Sequence, residues 1–421
     1  MIPRIYIFYF YVFSMALDYF PTFYFSANRR SFSVHLWSVD IYLSDICFLI
    51  TLAYFLFYHL DKLLRRKIYG YDKKIFHGYE IVLTIVIFFI LTKYIIQNQV
   101  DTATIRTLIN FSFGYIFLLF LPALVQDKKD FRKSVIALLL FSLYIFALHI
   151  YSYIVYGYKL HILSGNFITT LGIVFFLMVT SSSILKINKF LAYLISLIIL
   201  LTYLMVGHRS SFIALMLSLL VMVYLERKYF LKVLFLLAFL AILGGSAFLF
   251  MDSDLASNII RRAETTFDTK QMTYQGRYQN IFIILNSAKE NPVLGIPLGS
   301  KPTRYFEMMK IKTGSIIQNT IVECIVPHNL ILEWIYFYGI IGLCIGIVMI
   351  WTSFIFCRIC LMQYRQDPEV LFLIKALFCT WIHNLIFGLC NVTTMSIFTV
   401  FFLYFPLSLI VALSRLQGNS N

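Results

Sequence analysis

Apolar runs of about 17 to 25 residues, the length a helix needs to cross roughly 30 Å of hydrocarbon, recur along the whole chain. Twelve are read, near 5–25, 41–60, 80–97, 104–125, 134–156, 166–185, 190–206, 211–225, 230–250, 328–356, 370–389 and 394–413. Backbone groups in lipid find no water to bond, so runs of this length predict helices, whose ladders close internally; a barrel would show short alternating strands. Composition agrees: 13% of the 421 residues are charged and 60% are hydrophobic, against about 25% charged in soluble domains. The expected fold is all-α and polytopic, with about 12 transmembrane helices. No small-residue cleavage site follows the first run, which is read as a retained helix and not a removed signal peptide.

Basic residues give the expected orientation, because short loops rich in Lys and Arg stay cytoplasmic. Alternate connections carry Lys62, Arg65, Arg66, Lys67, Lys73 and Lys74; Lys128, Lys129, Arg132 and Lys133; Lys186 and Lys189; Arg227, Lys228 and Lys232; and Arg358 and Arg365. The opposite connections at 97–103 and 390–393 carry none, and Arg29 and Arg30 are a local exception. Both termini are expected inside. The formal charge of +15 is read as this topological signal and not as nucleic-acid binding, since no soluble basic domain is present to hold a duplex.

One outer connection is too long to be a mere connector. Residues 251–327 form a 77-residue segment with nine Lys or Arg against seven Asp or Glu. It divides the chain into an N-terminal bundle, 1–250, of about nine spans, an extracytoplasmic loop, 251–327, and a C-terminal bundle, 328–421, of about three spans. Within the loop, "GRYQNIFIILNSAKENPVLGIPLG" reads as a helix opening at Arg277 and stopping at "NP", then a turn containing Gly295, Pro297 and Gly299. The seven cysteines are scattered, with only Cys324 in the loop, so no disulfide framework is expected. Cys357 and Cys360 form a CxxC that lacks the second pair a zinc site needs, and they are read as packing residues.

"VGHRSSFIAL", residues 206–215, sets Arg209 on a tight turn between two spans, on the outer side by the loop charges. A guanidinium at the hydrocarbon boundary is costly unless it snorkels to lipid phosphate or meets another anion. Arg277 early in the loop and His328 at its end are the groups expected to join it.

"HRSSFIAL" at the start of a span, "GRYQNIF" followed by "NPVLG" in a long outer loop, and "PHNLILEWIYFYGIIGL" at the return to the membrane together resemble the bacterial O-antigen ligase and polymerase family of membrane glycosyltransferases. The motif likeness covers roughly 200–345, and the rest follows by layout. The resemblance implies glycosyl transfer on the external face of the bacterial inner membrane, from an undecaprenyl-diphosphate-linked oligosaccharide to an acceptor sugar hydroxyl. Arg209 and Arg277 would bind the diphosphate as negative charge grows on it, since a guanidinium takes two oxygens side by side. His328 would accept the acceptor proton in a direct, inverting displacement. Asn329 and Glu333 would orient the imidazole or sugar, one helical turn apart on one face.

Other readings stand beside this one. Asp252 and Asp254 have the DxD spacing of metal-dependent sugar transferases, but the two arginines supply the charge a metal would, so no metal or cofactor is expected. Arg261, Arg262, Lys301 and Arg304 are read first as solvated loop charges, and Tyr274, Tyr278 and Tyr305 as candidate sugar contacts. A polymerase would join lipid-linked repeat units; a ligase would move finished glycan to the lipid A core. The modest loop favours the polymerase. From another class, a flippase for the lipid-linked oligosaccharide would show intramembrane charges and matched broken helices in two halves; Lys375 is the clearest late intramembrane cation, near an inner helix end, and no internal repeat is visible. A non-catalytic scaffold would tolerate replacement of Arg209 and His328.

Overall fold

The protein is described here by a computed structural model covering residues 6–14, 33–53, 73–97, 121–156, 164–181, 186–206, 209–227, 281–296, 329–390 and 404–413, apart from positions 7, 8, 37, 38, 44, 52, 123, 126, 282, 283 and 287. Its principal helices are α1 (Lys73–Gln97), α2 (Lys128–Tyr156), α3 (Ser164–Ser181), α4 (Lys189–Val206), α5 (Arg209–Leu225), α6 (Leu330–Gln363) and α7 (Pro368–Cys390). A further helix covers Tyr404–Leu413. Each falls on an expected span. The expected spans at 104–125 and 230–250 lie largely or wholly outside the described residues.

One element departs from the all-helical expectation. Strands β1 (Ser33–Leu36) and β2 (Val39–Tyr42) pair antiparallel, Ser33 opposite Tyr42 and Leu36 opposite Val39. The sequence there alternates apolar and polar residues with period two, the strand pattern, in a stretch too short and polar to compete as a span.

Stretches within α2 (Lys128–Leu148), α6 and α7 are long and apolar enough to cross a membrane. Exposed apolar side chains show why lipid is the surrounding medium: Phe88 on α1, Phe190 on α4 and Trp351 on α6 are 70%, 75% and 66% exposed, and helices apolar on every face belong in a membrane or a large core. Packing uses the opposite stripe. On α1, Val82, Val86, Ile90 and Lys93 are buried at helical spacing, while Ile81, Ile85 and Phe88 are exposed.

Helix starts are set by short polar side chains that accept orphan backbone N–H groups. Asp127 caps α2 through Asp130 N, Asn188 caps α4 through Phe190 N, and Asp367 caps α7 through Val370 N. Pro368 then begins α7 where a missing N–H does no harm.

Helix α7 is the hub, packing on α3, α5 and α6. Lys375, early on α7, pairs with Glu226 just beyond the end of α5 at 2.5 Å, so the two helices run antiparallel. The first residue of α5, Arg209, therefore lies towards the end of the bundle where α7 finishes. At the other end, Lys128 meets Asp367 at 2.6 Å and Arg132 meets Glu369 at 2.9 Å, bringing the start of α2 to the α6–α7 turn. Cys357 and Cys360 are free and buried, and Cys360 Sγ lies 3.8 Å from the Ile410 carbonyl. That burial fits the packing role.

Candidate active site at the α5 and α6 entrances

Asn329 ends the incoming chain in an extended conformation, φ −158° and ψ 130°, and its side-chain oxygen accepts the N–H groups of Ile331 and Leu332. Its side-chain nitrogen donates to the Leu389 carbonyl at 2.5 Å. One amide thus starts α6 and ties it to the end of α7. Asn329 precedes the helix instead of lying on its face, which differs from the one-face reading: the N-cap takes non-helical angles so that its oxygen can fold back over the first turn. Glu333, one turn on, donates its N–H to the Asn329 carbonyl at 2.9 Å, and its side chain is buried.

Helix α6 then breaks at Gly339, whose φ of 62° and ψ of −159° are not helical. A break inside lipid is tolerated only where the freed backbone groups find other partners. The loop turn 291–296 supplies them. Ile296 N donates to the Tyr336 carbonyl at 2.7 Å, and Ile340 N and Ile341 N donate to the carbonyls of Pro292 and Val293 at 2.9 and 3.5 Å. The approach is close enough to require glycine on both sides. A Cβ on Gly295, itself at φ 71°, would stand 2.5 Å from Gly339 N, and one on Gly339 would collide with the Val293 carbonyl. The "NPVLG" and "YGIIG" motifs are therefore two halves of one joint.

Helix α1 holds the joint from the side. Lys93 Nζ donates to the Ile296 carbonyl at 2.6 Å and stands 5.2 Å from the centre of the Tyr338 ring; Gln97 Nε2 donates to the Gly295 carbonyl at 2.9 Å. Lys93 is 1% exposed. Neither side chain stood out in the sequence, although a lone cation inside the apolar run "ILTKYIIQ" was the available signal.

A second buried polar group lies beneath the same end. His383 on α7 is fully buried; its Nε2 is 2.7 Å from the Tyr203 hydroxyl and its Nδ1 is 2.9 Å from Asn384 Oδ1. With an amide oxygen at Nδ1, that nitrogen carries the proton and Nε2 accepts from Tyr203. The network joins α4 to α7 near the C-terminal ends of both.

The residues expected to do the chemistry are placed unequally. The backbone of Arg209 opens α5; its side chain, together with Arg277, His328, Asp252, Asp254, Cys324 and the other loop cations and tyrosines named above, lies outside the described residues. The antiparallel α5–α7 pairing and the Asn329–Leu389 bond bring the first residues of α5 and α6 to one end of the bundle. The dipole of each helix is positive at its start and favours anions there. This end is thus suited to negative charge.

Residues 191–347 match the family described as O-antigen ligase. Over this stretch the chain is similar to that family. It begins in α4 and ends in α6, so it contains the start of α5, the 291–296 turn, Asn329 and the Gly339 joint. The O-antigen ligase match and the apolar helices support a membrane protein with ligase- or polymerase-type glycosyl transfer on lipid-linked glycans. Lys93, Gln97, His383 and Leu389, which brace the matched stretch, all fall outside it. No curated protein matches the chain.

Proposed function

We propose that the protein is a surface-polysaccharide polymerase of the bacterial inner membrane, joining one undecaprenyl-diphosphate-linked repeat unit to the sugar hydroxyl of another on the external face. The reading is carried by one observation: the family-matched stretch contains the helix that Arg209 opens and the first part of the helix that follows His328, and those helices begin at the same end of the bundle.

Arg209 and Arg277 bind the diphosphate, and their hold strengthens as the sugar–phosphate bond breaks and charge accumulates on the leaving group. His328 takes the acceptor proton, so the hydroxyl oxygen attacks the anomeric carbon from the face opposite the diphosphate and inverts it. Asn329 serves by setting where α6 begins. Glu333, buried in the first turn, supports the same end. The mechanism uses no metal. Both termini are assigned to the cytoplasm, in keeping with the basic residues at the α2 start and the α6–α7 turn.

The family description favours a second reading, ligation of finished glycan to the lipid A core. Deleting the gene in its native host separates the two: loss of a polymerase leaves single repeats on the core, whereas loss of a ligase leaves long glycan on its carrier lipid. Replacing His328 by Ala should abolish the surface-glycan ladder while the protein remains in the membrane. An unchanged ladder would reject the catalytic assignment and leave the flippase or scaffold reading.

A further inference from the structure

We propose that Lys93 and Gln97 are positioning residues for this transfer: from α1 they clamp the 291–296 turn into the Gly339 joint, and so fix the direction in which the first part of α6 carries Asn329, the residue that follows His328 in the sequence. The inference rests on the function proposed above.

A lysine on a buried helix face is an expensive way to fill space, since its ammonium must be stripped of water and then satisfied. Methionine has similar length and no such demand. What lysine adds here is a donor, and the donor has a specific task. Lys93 and Gln97, one helical turn apart, bond the consecutive carbonyls of Ile296 and Gly295. The Ile296 peptide is held from both sides, its carbonyl by α1 and its N–H by Tyr336 on α6. The turn is therefore a strut between two helices, gripped at one register.

The geometry makes the grip matter at a distance. Leu330–Tyr338 is the arm between the joint and the helix start, about 13 Å long at about 1.5 Å per residue. A change of about 10° at the joint moves the far end by about 2 Å over that length. Misplacing a reacting group by about 1 Å can reduce a rate on the order of a hundredfold. Lys93 itself is committed to a carbonyl and an aromatic face, so it acts through the backbone and not on the substrate.

The test uses the full chain in lipid nanodiscs, with the undecaprenyl-diphosphate-linked repeat unit of the native host as donor and acceptor. Lys93→Met removes the ammonium at similar volume. Gln97→Glu keeps shape but loses the donor, and Gln97→Lys restores one; both are milder changes should Lys93→Met fold poorly. Hydrogen exchange of the 291–296 amides should accelerate at least tenfold in Lys93→Met and Gln97→Glu and return towards the parent rate in Gln97→Lys. Per folded molecule, kcat should fall at least tenfold in Lys93→Met with KM for the lipid-linked unit within twofold, and several-fold in Gln97→Glu with recovery in Gln97→Lys. Unchanged exchange, unchanged kcat, or a loss expressed only as raised KM would overturn the proposal. His328→Ala is the control: if it stays active, the function proposed above fails, while the exchange rates still decide whether the clamp exists.

Discussion

Replacing Gly339 by alanine isolates the contribution of the joint. At φ 62° and ψ −159° the residue occupies a region that essentially only glycine enters, at about 1–3 kcal/mol for others, and the added Cβ would strike the Val293 carbonyl. The helix has an alternative, which is to straighten. It would then regain its own ladder but release the turn, leaving Lys93 without the Ile296 carbonyl and Gln97 without that of Gly295. A hydrogen bond from a charged donor contributes about 1.5–3 kcal/mol and a neutral one about 1 kcal/mol, partly offset by the roughly 1 kcal/mol helical preference of alanine over glycine. Either route destabilises by about 1–3 kcal/mol on these magnitudes. Gly295→Ala, at φ 71° and with its Cβ 2.6 Å from Tyr338 N, should dismantle the same contact. Unfolding in detergent, followed by tryptophan fluorescence, should show each single change lowering stability and the double change lowering it little further, because coupled sites are not additive. Ile347→Ala, on an exposed face, should stay within about 0.5 kcal/mol of the parent. Additive losses, or a Gly339→Ala protein as stable as the parent, would refute the joint.

Two further changes test the ends of the bundle. Asn329→Ala should reduce both stability and transfer, since it removes the α6 cap, about 1 kcal/mol, and the tie to Leu389; Asn329→Asp keeps the capping oxygen and should recover stability more than activity, measured by the same unfolding and ladder assays. At the opposite end, partial burial raises the Asp367 carboxyl, but hydrogen bonds from Lys128 and the Val370 N–H, with the Lys128 charge, outweigh it and hold the pKa below the ordinary carboxylate value. A lowered folded pKa contributes stability above the unfolded value, near 3.9, and loses it as pH falls through the folded one. With Lys128 well exposed, Asp367→Asn should lose at most about 1 kcal/mol at neutral pH and flatten the acid limb of the stability profile.

What was legible in the sequence follows from which interactions are local. Apolar runs identify helices because the lipid requirement acts on each run alone, so α1 to α7 fall where expected. The Asn291–Pro292 stop and the glycine after it were equally visible, being turn chemistry. Gly339 was not, because a glycine in an apolar helix reads as ordinary small-residue packing until a second backbone is seen lying against it. Lys93 was lost inside the hydrophobic average of its run, and its partners are about two hundred positions away. The hairpin at 33–42 was overlooked beside stronger hydropathic signals. Arg209, Arg277 and His328 came from motif order, a relation among distant segments that composition alone does not express.

The imidazole of His383 has a counterpart in an absent side chain. A Cβ built on Gly172 of α3 would come within 2.8 Å of the ring carbons Cε1 and Cγ, so the aromatic ring fills the volume that the glycine vacates. The volumes at positions 172 and 383 are accordingly coupled. A descendant sequence that acquires even a methyl group at the first must trade the ring at the second for something slimmer, and Tyr203 would then lose its acceptor as well.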